Sequence, residues 1–173
     1  MRKSVAFLLL GSILLSLCAC GSSLKEPVSF YYLRNPDAIV YGSADGLVAP
    51  EQREASGHVG DLEYLLALYL GGPLDGRLVS PIPEGVTLEN LVIRQKNLIL
   101  VLSSQFAELT DVELTAACVC IATTCFSLTD VEEVTILSPE THLSEGVSMT
   151  LTRDSVTFLD DSIPSGNAEQ SLS

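Results

Sequence analysis

Tryptophan is absent from this 173-residue chain, histidine occurs twice, and only nine residues are lysine or arginine against twenty-two aspartates and glutamates. The scarcity of cations excludes one large class of function. A net charge of −13 repels a phosphate backbone, and no basic cluster relieves it, so nucleic acid is not an expected partner.

Catalytic patterns are missing as well. The chain has no Gly-x-Ser-x-Gly elbow, His-Glu-x-x-His pair, phosphate loop or calcium loop. His58 and His142 stand alone in turn-rich segments and read as surface histidines. Glu132 and Glu133 would face opposite ways on a strand, and Asp160 and Asp161 fall in a polar tail, so neither pair positions an acid and a base. Ser22 and Lys25 spell Ser-x-x-Lys, but in a flexible tether that cannot hold an oxyanion hole. The chain is therefore expected to be no enzyme, and to hold no cofactor and no metal. Tyr31, Tyr32 and Tyr41 offer a sugar-stacking platform only as a second choice to core packing.

What is present begins at the N-terminus. Arg2 and Lys3 precede an uncharged run over 4–17, too short for an ordinary spanning helix, which needs ~20 apolar residues. The run ends in Leu17-Cys18-Ala19-Cys20-Gly21, a lipobox. Small Ala19 just before Cys20, with Leu17 three residues upstream of that cysteine, places cleavage after residue 19. Cys18 would put bulky Leu17 at the cut, so it leaves with the signal. Residues 1–19 are thus read as a lipoprotein signal peptide and Cys20 as the site of a diacylglycerol thioether. Two or three acyl chains there would anchor the chain stably to the outer face of a bacterial membrane. The mature part, 154 residues with seven basic and twenty-two acidic side chains, carries a net charge of −15 and is long enough for one domain with a real core.

Three further cysteines, Cys118, Cys120 and Cys125, lie in an Ala-, Val- and Ile-rich stretch that reads as a helix over 111–127. Cys118 and Cys125 would then sit about 10 Å apart along the axis, beyond disulfide reach. Cys118 and Cys120 would point to different faces. All three are read as small buried apolar side chains, with a reactive thiol as the lesser alternative.

Residues 20–27 form the lipidated end and a short tether. Residues 28–33 are strand-like, Asp45-Gly46 signals a turn, and 47–49 return antiparallel, with Pro50 marking the end or edge. Leu62, Leu65, Leu66 and Tyr69 make one face of a helix over 59–70, stopped by Gly71-Gly72-Pro73. Residues 81–85 are a rigid connection. Residues 88–93 and 98–102 are two strands around Gln95-Lys96-Asn97, where Asn97 is expected to take the positive φ. Thr110 and Glu113 fit a capping box at the start of the second helix. Leu128-Thr129-Asp130-Val131-Glu132 repeats those letters before an apparent strand over 134–137, a coincidence of spelling and not a repeat. Residues 147–151 and 156–159 alternate around Arg153-Asp154 as a C-terminal hairpin, and 161–173, with Pro164 and Gly166, read as a disordered tail.

In this order the elements resemble the GerMN domain, a family named for sporulation and germination proteins of spore-forming bacteria. The resemblance runs over about 28–138. It rests on Val-Ser-Phe-Tyr-Tyr from Val28, on Leu70-Gly71-Gly72-Pro73, and on Ser80-Pro81-Ile82-Pro83-Glu84-Gly85. Leu100-Val101-Leu102-Ser103-Ser104-Gln105-Phe106, the second helix and 130–137 complete it. The prolines and glycines of the middle motif are read as architectural, stiffening the passage from helix to strand. Family members often end the last strand in a short Gly turn, whereas Ser138-Pro139 here leads into an additional segment, 139–160.

The expected fold is α+β, two helices packed on one face of a mostly antiparallel sheet with an additional C-terminal hairpin. The resemblance implies a membrane-anchored, extracytoplasmic binding or scaffold protein acting in sporulation, germination or envelope assembly. Its expected partners are the cell membrane, through lipid on Cys20, and an envelope protein or peptidoglycan. A small peptidoglycan-binding or wall-hydrolysing protein is the alternative. The acidic surface and a sheet edge covered by the last hairpin favour a monomer in solution.

Overall fold

The computed structural model describes residues 27–38, 46–55, 57–142 and 144–156. The signal segment, Cys20, Ser22 with Lys25, Tyr41, Asp160 with Asp161 and the tail lie outside them.

Strand β1 (Pro27–Arg34) alternates strictly, turning Val28, Phe30 and Tyr32 into the core. It pairs antiparallel with β2 (Val48–Glu54) and, at Leu33 and Arg34 only, with β3 (Leu78–Val79). Pro50 marks an edge and not an end: β2 is the outer strand, where a missing N–H is tolerated, and it runs on to Glu54. The two-residue β3 had no legible signal of its own.

The other strands form a second sheet in the order β4-β5-β6-β7, from β4 (Leu88–Arg94), β5 (Asn97–Leu102), β6 (Glu133–Ser138) and β7 (Val147–Thr152). Only β5 and β6 run parallel, because helix α2 (Asp111–Leu128) makes the long crossover between them. Register places Leu98 beside Val134 and Val134 beside Leu151, a buried row across three strands. Helix α1 (Leu62–Leu70) and α2 share this face: Leu66 and Tyr69 from one and Ile121 from the other meet Leu100 and Leu102 around a void of about 10 Å³. The α+β architecture with mostly antiparallel strands is as expected, but the strands make two sheets instead of one.

Helix α2 packs against β1 on one side and against β6 and β7 on another. Its residues 117–122 are buried in unbroken succession. A helix apolar all round is the signature of such a position. By length and composition alone α2 could cross a membrane, and half of it is buried inside the protein. Its three cysteines are free and fully buried, and burial pushes each thiol up to about 12.

β1 pairs with β3 over only two residues, leaving the backbone groups of Ser29 and Tyr31 on that side without a strand. The helices complete them. The Tyr31 N–H donates to Thr124 Oγ1 at 2.9 Å, the Tyr31 carbonyl accepts from the Tyr69 hydroxyl at 3.1 Å, and the Ser29 carbonyl accepts from Ser127 Oγ at 2.7 Å. Such pairing is what buried backbone polar groups require.

Four local expectations are corrected. The first helix begins at Leu62, because residues 57–60 form a turn and Asp61 caps the helix, its Oδ1 accepting from the Tyr64 N–H at 3.1 Å. Arg94 pairs with Asn97, so Gln95-Lys96 is a two-residue loop and Gln95 takes the positive φ (56°), not Asn97. No capping box forms at Thr110: its hydroxyl makes no capping bond, and Asp111 sits at φ 45°. In the C-terminal hairpin β7 takes β6 as its partner, while residues 153–156 form a helical turn and 157–159 lie outside the described residues.

Candidate docking groove

The inward face of β2 carries a charge pair that the alternation of 47–50 did not announce. Glu51 and Arg53 are each 8% exposed, with Glu51 Oε2 2.6 Å from the guanidinium. Neither charge is left with its partner alone. Arg53 donates to the carbonyls of Leu68 (3.3 Å) and Gly72 (2.5 Å), which end α1, and lies 5.3 Å over the Phe30 ring. Glu51 Oε1 accepts from the N–H groups of Leu74 and Asp75, both at 2.7 Å. Two side chains thus hold a helix end and the loop after it. Asp75 in turn accepts from the side chain and the N–H of Arg77, which holds its carboxyl at about 2.

The chain then re-enters along α1. Ser80 Oγ accepts from the Ile82 N–H, fixing the first turn of Ser-Pro-Ile-Pro. At Pro83–Val86 a second turn closes with Gly85 at φ 88°, a conformation that suits glycine. Ser103 Oγ accepts from the Thr87 N–H and ties the segment to the end of β5. The motif is architectural, as read, and it also frames a groove.

This groove, about 530 Å³, lies between the 63/67/70 face of α1 and residues 80–88. Buried Ile82 and Val86, with half-buried Leu70 and Leu88, make its floor, and exposed Glu63 and Glu84 stand at its rim. Gly71 and Gly72 keep the end near Ser80 free of side chains. None of the described residues lining it is basic.

A second cavity, about 560 Å³, collects Arg94, Lys96 and Arg153 at the far end of the four-stranded sheet, beside Glu132, Glu133 and Asp154. Two of these cations hold the end of α2 and the segment that follows it. Lys96 Nζ donates to the Asp130 carbonyl (3.0 Å), and Arg153 donates to the carbonyls of Phe126, Thr129 and Val131. Of these carbonyls only that of Phe126 belongs to the last turn of α2, where helix carbonyls lack intrahelical partners.

Of the tyrosines weighed for sugar stacking, Tyr32 is fully buried, its hydroxyl donating to the Tyr69 carbonyl at 2.9 Å and its ring stacked on Tyr69 at 4.9 Å. Burial raises both phenols well above their ordinary range. Tyr31 is half-buried on the outward face of β1, on the other side of the strand from Tyr32, and Tyr41 lies outside the described residues. His58 is exposed and stacks on Tyr64, and His142 is exposed elsewhere. Among the described residues no three His, Cys, Asp or Glu side chains gather as a metal site. Neither the buried ion pair nor the groove was found from sequence; the one available hint was Glu51 and Arg53 at strand spacing beyond Pro50.

No known family profile and no curated protein matches the chain in sequence. Solved structures do match in shape. The tandem GerMN domains of the sporulation protein GerM from Bacillus subtilis align with a TM-score of 0.53 at 17% identity, over 75% of this chain and 46% of that one. This chain therefore spans about half of the tandem protein. A presumed lipoprotein from Clostridium perfringens aligns with a TM-score of 0.46 at 16% identity, over 82% of this chain and 97% of that one. The chain has a GerMN-like fold.

Proposed function

We propose that this protein is a lipid-anchored, extracytoplasmic binding or scaffold domain of a bacterial cell envelope, working by docking and not by turnover. The observation that carries the reading is the lipobox at Leu17–Gly21 ahead of a GerMN-like fold. Cys20 is the anchor, and the six residues 21–26 between it and β1 hold the domain within about 20 Å of the bilayer. The fold's occurrence in a sporulation protein makes sporulation or germination the first setting to examine. The pre-formed groove is the surface on which docking is expected.

The test is cellular. Cys20→Ala should abolish acylation and release the protein from membranes or leave it unprocessed, while Cys18→Ala changes little. Cross-linking in intact cells should then capture an envelope partner only with Cys20 present. Retention of Cys20→Ala in the membrane at the mass of a mature lipoprotein would refute the anchoring. Turnover of purified peptidoglycan by the protein would refute the docking role in favour of a wall hydrolase.

A further inference from the structure

The groove beside α1 has a composition that selects its occupant. We infer that it receives an extended polypeptide segment of a partner protein through one lysine or arginine side chain, flanked by apolar residues. This rests on the docking reading above and gives it a ligand chemistry.

The floor and the rim ask for different things. Leu70, Ile82, Val86 and Leu88 present apolar surface, which a purely polar ligand would leave unsatisfied. Glu63, one turn before Ala67 on the exposed side of α1, and Glu84, in the turn held by Gly85, add two carboxylates with no cation among the described lining residues. A long basic side chain meets both demands, since its methylene stem lies on apolar surface while its head stays with charge and water. The acidic excess of the mature chain, −15, steers such a cation inward and an anion away.

The groove is also built to persist. One wall is a capped helix whose far end is held by Arg53, and the other is a proline-bearing segment held by Ser80 and Ser103. A partner would therefore not have to order it on binding. A wall stem peptide also carries an amine, but its neighbouring carboxylates would meet Glu63 and Glu84 with like charge. The shared chemistry therefore favours a protein segment.

The experiment uses the full acylated chain in detergent micelles and fluorescence anisotropy of labelled pentapeptides. The probes are Ala-Leu-Lys-Leu-Ala, its norleucine and glutamate counterparts, and a purified uncrosslinked muropeptide. The lysine probe should bind about tenfold more tightly than the norleucine probe at low salt, with the glutamate probe weakest. In the double variant Glu63→Gln, Glu84→Gln, both at exposed positions, the preference for lysine should fall to within about twofold while norleucine binding persists. Ala67→Trp, which fills the groove from an exposed position, should abolish binding of both. Thermal unfolding by circular dichroism confirms that each variant folds. Equal affinity for the three peptides, undiminished binding by Ala67→Trp, failure of every probe, or preference for the muropeptide would each overturn the inference. If probes fail while Cys20-dependent cross-links persist, the inference falls alone. If Cys20→Ala behaves as a mature lipoprotein, the proposed function falls whatever the probes do.

Discussion

The two helices of this domain are tied to its sheets by different sets of bonds. Helix α2 gives: Thr124 and Ser127 supply the hydrogen bonds that β1 lacks for want of a neighbouring strand. Helix α1 gives one bond of that kind, from the Tyr69 hydroxyl to the Tyr31 carbonyl, but it also receives: the carbonyls at its end are taken by Arg53, and the loop that follows is held by Glu51, both from β2. The first exchange uses neutral hydroxyls, Thr124 fully buried and Ser127 exposed, and the second uses a charged pair that is itself almost wholly buried. An interior helix can thus carry small polar side chains at little cost when each has a backbone partner, whereas a helix that borders a groove is fixed by a stronger and more specific clasp.

The largest effect is expected from breaking the clasp. Arg53→Met leaves Glu51 buried without its cation and frees the end of α1, and should cost about 3–5 kcal/mol in urea unfolding. The double variant Glu51→Leu, Arg53→Met should recover part of that loss but not all, because the N–H groups of Leu74 and Asp75 lose their acceptor. Full recovery would mean that the pair contributes only charge balance and does not position the loop.

The interior of α2 offers the next effect, through pH. Burial holds the thiols of Cys118, Cys120 and Cys125 at about 12, well above the ordinary value near 9 that the unfolded chain keeps. Raised pKa values stabilise fully below pH 9, and that stabilisation is lost as pH climbs towards 12, because the unfolded chain ionises first. Each thiol should account for about 1 kcal/mol lost by pH 10. Unfolding free energies measured across this range should fall less steeply in Cys125→Ala, and a thiol reagent should react only as fast as the domain opens. Rapid labelling of the native protein at pH 8 would show that α2 is not enclosed on all sides.

Thr124→Val keeps the shape of the side chain but leaves the Tyr31 N–H without its acceptor. A cost of about 1–3 kcal/mol is expected, with faster hydrogen exchange at Tyr31. Thr124→Ser, which keeps the oxygen, should retain the protection.

Much of this architecture was legible because it depends on local pattern. β1, both helices and the strands of the second sheet follow from alternation and helical spacing, and the cysteines were placed correctly because a run of Ala, Val and Ile around them needs burial. The clasp was not legible for a physical reason: Glu51 and Arg53 after Pro50 look like a solvated strand end, and only the loop at 71–75, distant in sequence, explains why charges turn inward. The groove escaped for the same cause, since its walls come from two segments that meet only in the fold. Splitting of the strands into two sheets was equally hidden, because hydroxyls on α2 and α1 stand in for the missing strand contacts of β1.

The smallest effect compares the starts of the two helices. Sequence alone ranks Thr110 as the better cap, for Glu113 follows it at capping-box spacing, while Asp61 lies inside the span first expected to be helical. The structure reverses this: Asp61 Oδ1 accepts from the Tyr64 N–H, whereas the Thr110 hydroxyl makes no capping bond and its backbone carbonyl alone accepts from Glu113. Asp61→Ala should therefore cost about 1 kcal/mol, and Thr110→Ala no more than about 0.5 kcal/mol. Urea unfolding of the two variants side by side decides the matter. Equal costs would mean that Thr110 caps α2 in solution, with Asp111 leaving its positive φ to allow it, and would restore the order that the sequence alone suggests.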